Sequence, residues 1–111
     1  MEQCYIQSII RNYEEDLQKV KEDGIALEYV KEQTPELCLE AVKQDGIALY
    51  YVKEQTTEIC LTAVKQYGYA LQYVKEQTPE ICWEAVKQNR GALYFVKDPI
   101  LQEQIKLHFD L

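Results

Sequence analysis

The fold of this chain is decided by the stretch TPELCLEAVKQDGIALYYVKEQ, residues 34–55. It is followed directly by TTEICLTAVKQYGYALQYVKEQ, residues 56–77, and then by TPEICWEAVKQNRGALYFVKD, which starts at residue 78. The pattern therefore returns every 22 residues. A fixed period of this kind indicates stacked repeats, in which each unit buries its apolar side against its neighbours.

Each unit contains two signals for the start of a helix. The first is Thr-Pro-Glu at residues 34–36 and 78–80, which offers an N-cap, a proline at the first helical position and an acid near the positive helix end. The second is Asp-Gly at residues 23–24 and 45–46, where Asp can cap a helix and Gly eases the chain reversal. These signals predict two α-helices of about eight to ten residues in every unit.

Helical periodicity predicts which side chains each helix buries. In the unit 34–55 the buried set is Leu37, Cys38, Leu39, Ala41 and Val42 on the first helix, with Ala48, Leu49, Tyr51 and Val52 on the second. The outward set is Glu36, Glu40 and Lys43, with Tyr50, Lys53 and Glu54.

The predicted fold is an all-α, single-domain αα-solenoid of four helix-turn-helix repeats. Residues 1–11 form an N-terminal cap, residues 12–98 the repeats, and residues 99–111 a C-terminal capping helix. The ends are atypical, as a soluble stack requires. Glu15, Asp16 and Lys19 stand where the next unit has Leu37, Cys38 and Ala41, while Leu101, Ile105 and Phe109 can seal the other end.

A rival architecture also has a period of 22 residues, namely the proline-punctuated surface helices of apolipoprotein-like lipid-binding chains. Two features disfavour it. A glycine recurs within each period, which suits a turn better than a long helix, and the polar faces are not rich in Lys and Arg.

The chain is acidic, with 19 Asp and Glu residues against 12 Lys and Arg. Residues 1–45 hold 11 acids and 5 bases, whereas residues 46–111 hold 8 and 7. This balance opposes direct binding to nucleic-acid phosphates and to anionic membranes. No apolar run approaches the roughly 18 residues of a membrane span, and the first 11 residues lack the pattern of a secretory signal. The acid excess fits either simple solubility or a partner with a basic surface.

Three of the four cysteines, Cys38, Cys60 and Cys82, share one column of the repeat inside an apolar cluster; the fourth is Cys4. Equivalent positions on packed helices lie about 8–10 Å or more apart, whereas a disulfide needs Cα atoms within about 7 Å. No CxxC-like spacing suggests zinc. We expect buried free thiols and a reducing, cytoplasmic location.

The segment 41–52, AVKQDGIALYYV, resembles a bacterial and viral tandem-repeat family of the AVxxxGxALxYV type, whose function is unknown. The resemblance extends over residues 20–30, 41–52, 63–74 and 85–96. It implies a tandem array, a bacterial, phage or large-virus origin, and no catalytic residue. The last unit departs from the pattern, because Arg90 takes the glycine position and Gly91 follows. This change predicts a turn shifted by one residue.

The residues needed for catalysis are scarce, so we expect no enzyme, no metal and no cofactor. One serine, Ser8, and one histidine, His108, lie at opposite ends of the chain, too far apart in a linear stack for nucleophilic catalysis. The acids Glu14, Glu15 and Asp16 could serve acid–base chemistry, but a solvated face explains them equally well. There is no glycine-rich phosphate loop.

The nine tyrosines are the better functional signal, because tyrosine is enriched at recognition surfaces. The column Tyr29, Tyr51, Tyr73 and Phe95 is predicted to pack in the core. The column Glu28, Tyr50, Gln72 and Tyr94 is predicted to face solvent, together with the variable positions Ile25, Ile47 and Tyr69. Variation between units on an exposed face suits partner recognition, although harmless surface variation gives the same pattern.

The sequence therefore predicts a non-enzymatic domain that binds a protein partner through an exposed tyrosine and acidic surface. The predicted contact residues are Tyr50, Tyr69, Tyr94, Glu28, Glu32 and Glu54. The alternative is a small acidic inhibitor of a host defence nuclease or of another nucleic-acid-binding protein, acting through Glu14, Glu15 and Asp16. The chain carries no signal for its oligomeric state.

Overall fold

The computed structural model describes the backbone of residues 2–111 and the side chains of residues 6–111, so the side chain of Cys4 lies outside the described part. Over this part the chain alternates α-helices with short 3₁₀-helices and has no strand. The elements are α1 (Glu2–Glu22), η1 (Gly24–Tyr29), α2 (Pro35–Gln44), η2 (Gly46–Tyr51), α3 (Thr57–Gln66), η3 (Gly68–Tyr73), α4 (Pro79–Gln88), η4 (Arg90–Phe95) and α5 (Pro99–His108).

The α-helices form one row of the stack and the 3₁₀-helices form the other. Each α-helix contacts the next, and each 3₁₀-helix lies against the α-helix of its own unit and the α-helix that follows. The resulting rod measures 62 × 22 × 16 Å. The prediction of an all-α stack of helical repeats is confirmed.

The capping residues act as the sequence predicts. Thr34 Oγ1 accepts a hydrogen bond from Leu37 N at 3.2 Å, and the threonines at residues 56 and 78 cap α3 and α4 in the same way. Asp45 Oδ1 accepts from Ile47 N at 3.0 Å at the start of η2. These bonds satisfy amide groups that have no partner within the helix.

The second element of each unit is a 3₁₀-helix of six residues, so the prediction of an α-helix of about eight to ten residues is wrong. Its hydrogen bonds join residues three apart, as in Ala48 N to Asp45 O at 2.9 Å and Val52 N to Leu49 O at 3.1 Å. A ten-residue α2 and two connections leave too little of a 22-residue period for a second α-helix, and short 3₁₀ segments are common connectors. Lys53 belongs to the loop that follows.

The repeated glycine serves contact between units and not the chain reversal that the sequence suggests. No glycine in the described chain has a positive φ. A Cβ atom on Gly68 would lie 2.5 Å from Ala85 O and 2.8 Å from Gln88 Oε1, both in the next unit. Gly24 and Gly46, in the two preceding units, lie in the same way against the backbone carbonyls of Ala41 and Ala63. Glycine is required because two backbones meet here.

Arg90 takes the glycine position in the fourth unit without the predicted shift of the turn. η4 begins at Arg90, 22 residues after η3 begins, and Asn89 Oδ1 accepts a hydrogen bond from Gly91 N at 2.9 Å. Arg90 is exposed, whereas Gly68 is buried against α4. Its guanidinium lies 3.9 Å from the centroid of the Phe109 ring.

The core runs the length of the rod and matches the predicted buried set closely. Leu49 and Leu71 have no exposed surface. Leu39 and Tyr51, also predicted to be buried, are only partly so. Glu40, predicted to point outward, is partly buried.

The two ends differ from the inner units. α1 runs without a break across residues 11 and 12, where the sequence predicts a boundary between cap and first repeat. At the other end α5 buries Ile105 completely, and the partly buried Leu101 and Phe109 pack beside it.

Candidate functional site

An aromatic edge follows the row of 3₁₀-helices. We name it the tyrosine ribbon, and it consists of the last two residues of each 3₁₀-helix: Glu28 and Tyr29, Tyr50 and Tyr51, Gln72 and Tyr73, Tyr94 and Phe95. The first member of each pair is exposed, as the helical phase predicts. Tyr50 is 65% exposed and Tyr94 is 83% exposed.

Within the ribbon the exposed Tyr50 contacts a ring in the next unit as well as one in its own. Tyr50 makes edge-to-face contacts with Tyr51 in its own unit, at a centroid distance of 5.1 Å, and with Tyr73 in the next unit, at 5.4 Å. Burial, and then the neighbouring Glu28 carboxylate, raise the pKa of Tyr51. Edge-to-face pairs of this kind hold rings in fixed orientations. The ribbon is therefore an ordered surface.

Tyr29 corrects the prediction that its column packs in the core. Its side chain is 80% exposed, whereas Tyr51, Tyr73 and Phe95 are partly buried. The reason is its place in the stack: η1 is the first 3₁₀-helix of the described residues, so no earlier one covers the ring. Tyr94 lies in η4, the last 3₁₀-helix in this part of the chain, and contacts only Phe95 of its own unit among the aromatic rings described.

Tyr69, predicted to face solvent, is partly buried instead. Its ring lies between Tyr67, at a centroid distance of 5.7 Å, and Phe95, at 5.9 Å. The predicted acids Glu32 and Glu54 are exposed, but they occupy the loops after η1 and η2 rather than a helix.

A groove of about 710 Å³ opens between α1 and the loop after η1, and we name it the α1 groove. The structure brings together here one member of the predicted contact set, Glu32, and two members of the alternative acidic set, Glu15 and Asp16. Glu14 is exposed but does not line the groove. The tyrosine rings of residues 13 and 29 also line it.

A hydrogen bond fixes one wall of the α1 groove. Tyr13 Oη donates to Glu36 Oε2 at 2.6 Å across the boundary between the first two units. This bond, followed by burial, raises the pKa of the Tyr13 hydroxyl. The ring is therefore held in place.

A column of glutamines, which sequence reasoning missed, fixes the spacing of the ribbon. Gln55 Nε2 donates to Tyr73 O at 2.8 Å, and Gln55 Oε1 accepts from Lys75 N at 2.9 Å and from Cys60 Sγ at 3.5 Å. Gln33 and its counterpart in the third unit make the same bonds. The signal was the unvarying Glu-Gln-Thr before α2, α3 and α4, since a polar residue repeated from unit to unit indicates a contact between units.

The three repeat cysteines are buried free thiols, as predicted. Burial raises the pKa of Cys60 and Cys82 from the ordinary 9.0 to about 11, and it also raises the pKa of Cys38. Because the thiolate is the reactive form, we expect all three to resist a thiol reagent at pH 8 until denaturant is added. A spectrophotometric labelling assay on the Cys4→Ser variant measures this directly.

A cysteine introduced at the exposed Thr57 is the control, and it should label at once in native buffer. Equally fast labelling of the three native thiols would contradict the buried column. Cys60 and Cys82 lose their protons near pH 9 in the unfolded chain and near pH 11 when buried. Alkaline pH between these values should therefore favour unfolding.

The residues weighed for catalysis lie apart. Ser8 is an exposed residue of α1 and His108 ends α5, where its ring lies 4.7 Å from that of Trp83. No cluster of His, Cys, Asp and Glu within the described residues could hold a metal ion. None of the helices described here combines the length and apolarity that crossing a bilayer demands.

One protein family, described as "Domain of unknown function (DUF4116)", matches residues 34–78 and also, in an overlapping match, residues 56–102. The two matches begin 22 residues apart, which is the repeat period, and together they cover 69 of the 111 residues. No curated protein matches the chain, and no solved structure matches it. The chain therefore belongs to the DUF4116 family of domains of unknown function.

Proposed function

We propose that the chain is a non-enzymatic repeat domain that binds another protein through the tyrosine ribbon. The observation that carries this proposal is an ordered row of aromatic side chains on the surface, with Tyr29, Tyr50 and Tyr94 each at least 65% exposed. Tyrosine supplies rigid, amphipathic contact area and is enriched at protein interfaces. The net charge of −7 favours a protein over a nucleic acid as the partner.

The predicted contact residues take different parts in this proposal. Tyr50 and Tyr94 supply contact area directly, because their rings are open to solvent. Tyr69 acts beneath the surface by supporting Phe95. Glu28 belongs to the ribbon, and Glu32 and Glu54 are exposed in the loops after η1 and η2; these acids orient a partner that carries basic groups. The buried thiols fit action in a reducing cytoplasm.

The double variant Tyr50→Ala/Tyr94→Ala should weaken partner binding about thirtyfold, since losing an aromatic anchor commonly costs about 2 kcal/mol. A photo-crosslinking amino acid at residue 50 or 94, introduced in cells of the source organism, identifies the partner. Calorimetric titration of that purified partner then measures the change in affinity. Circular dichroism should show an intact fold, because both rings are exposed.

Crosslinkers at the exposed Lys65 and Lys87 on the α-helical row serve as controls. They should not capture the protein that is crosslinked from residues 50 and 94. The variant Tyr51→Ala should instead lower stability, because that ring is partly buried. Binding that survives loss of the tyrosine pair, yet collapses when Glu14, Glu15 and Asp16 are neutralised, would transfer the function to the acidic end.

A further inference from the structure

The α1 groove differs in chemistry from the grooves at the same place between later units. Two such grooves, one between the second and third units and one between the third and fourth, measure about 270 Å³ each. Their lining includes a cysteine and equal numbers of lysines and glutamates, but no aromatic ring. The α1 groove, at about 710 Å³, contains two tyrosine rings and an additional pair of acids. Its size and lining set it apart from these two grooves.

The sequence explains the difference position by position. Tyr13 stands where the next unit has Pro35, and Asp16 stands where it has Cys38. In the second unit Cys38 is buried and donates a hydrogen bond to Gln33 Oε1 of the preceding unit. Tyr13 and Asp16, by contrast, are partly buried and line the groove. Tyr29, which is 80% exposed, also lines it.

The charge of the groove favours a cation. Glu15, Asp16 and Glu32 line it against Lys19 and Lys31, which leaves one net negative charge. The surrounding residues 1–45 add to this potential, with 11 acids against 5 bases. Aromatic faces next to carboxylates are the surroundings in which a guanidinium group binds best, because it can stack on a ring and pair with two carboxylate oxygens.

We infer that the α1 groove binds an arginine side chain presented by a segment of a partner protein. The inference rests on the proposed function, because it makes the groove a specificity element at the N-terminal end of the ribbon. The guanidinium stacks on Tyr29, whose face is free, and pairs with Asp16 and Glu15. Tyr13, held by Glu36, closes the side of the site along α1.

The test is a titration of the full chain with the blocked peptide acetyl-Gly-Gly-Arg-Gly-Arg-Gly-Gly-amide. The matched probe carries citrulline in place of arginine, which keeps the shape and removes the charge. Calorimetry or backbone-amide NMR should show at least tenfold weaker binding of the citrulline peptide. The amide signals that shift should be those of residues 12–19 and 29–34. Equal affinity of the two peptides, or no binding of the arginine peptide at millimolar concentration, overturns the inference.

Matched variants separate a local site from a diffuse negative potential. Tyr29→Ala and Glu15→Gln/Asp16→Asn should each weaken binding of the arginine peptide at least tenfold. The control for the first is Leu107→Ala, which truncates a similarly exposed apolar side chain on α5, outside both the ribbon and the groove. The control for the second is Glu58→Gln/Glu80→Gln, which removes the same charge from exposed positions on α3 and α4. Controls should change affinity less than twofold.

Controls that weaken binding as much as the groove variants also overturn the inference, since attraction would then come from net charge alone. Neither result bears on the crosslinks from residues 50 and 94, which test the ribbon itself. If the groove does not bind the arginine peptide while residues 50 and 94 still crosslink to a partner, the proposed function of the ribbon stands. If these residues crosslink to no partner while the groove still binds the arginine peptide, the groove is a binding site separate from the ribbon.

Discussion

Leu71→Ala is expected to lower the free energy of unfolding by about 2–5 kcal/mol, because it removes a fully buried side chain from the middle of the stack. The neighbouring units on both sides pack against η3, so the cavity cannot close without moving two interfaces. Leu49→Ala should cost a similar amount, since Leu49 occupies the same position one unit earlier. Urea titration followed by circular dichroism measures both values.

The exposed Lys53 provides the control, and its replacement by alanine should change the free energy of unfolding by no more than about 0.5 kcal/mol. Similar losses at the leucine and lysine positions would show that the side of η3 assigned to the core is wrong.

Gly68→Ala is expected to destabilise the chain by about 1–3 kcal/mol or more, although alanine is normally the better helix former. The added Cβ would lie 2.5 Å from Ala85 O, a backbone atom that can move only if α4 moves with it. The substitution therefore forces apart the third and fourth units. Thermal unfolding of the variant gives the size of the effect.

Arg90→Ala is the matched control, since residue 90 occupies the same repeat position but carries an exposed side chain where the other units have glycine. The variant should lose only the contact of the guanidinium with Phe109, worth about 0.5–1 kcal/mol at an exposed site. A Gly68→Ala variant as stable as the native chain would contradict the close approach of the two units.

The α-helices were predictable because their signals are local. Thr34 and Pro35 define the start of α2 within one residue, and the 22-residue period carries that assignment to α3 and α4. The 3₁₀-helices were not predictable in type. Over six residues the buried pair Leu49 and Val52, three apart, fits a 3₁₀-helix as well as an α-helix.

The exposed half of the ribbon was predictable from helical phase, whereas the groove was not. Tyr29 lies in nearly the same local sequence as Tyr51 and Tyr73, yet it is 80% exposed and they are partly buried, so its exposure depends on its place in the stack. Asp16 and Glu32 line one groove only because the chain brings the loop after η1 back beside α1. A pattern read along one unit contains no information about such contacts.

The glutamine column has a consequence for how this array can change in evolution. Each glutamine bonds to a carbonyl 18 residues ahead, as Gln33 does to Tyr51 and Gln77 does to Phe95. A duplicated 22-residue segment would thus contain the glutamine that bonds to the next unit. It would also add one further pair of ribbon side chains. The residues peculiar to the ends, such as Asp16 and Arg90, would stay where they are. Recombination within the gene can in this way lengthen or shorten the recognition surface by whole units, without a new interface having to arise.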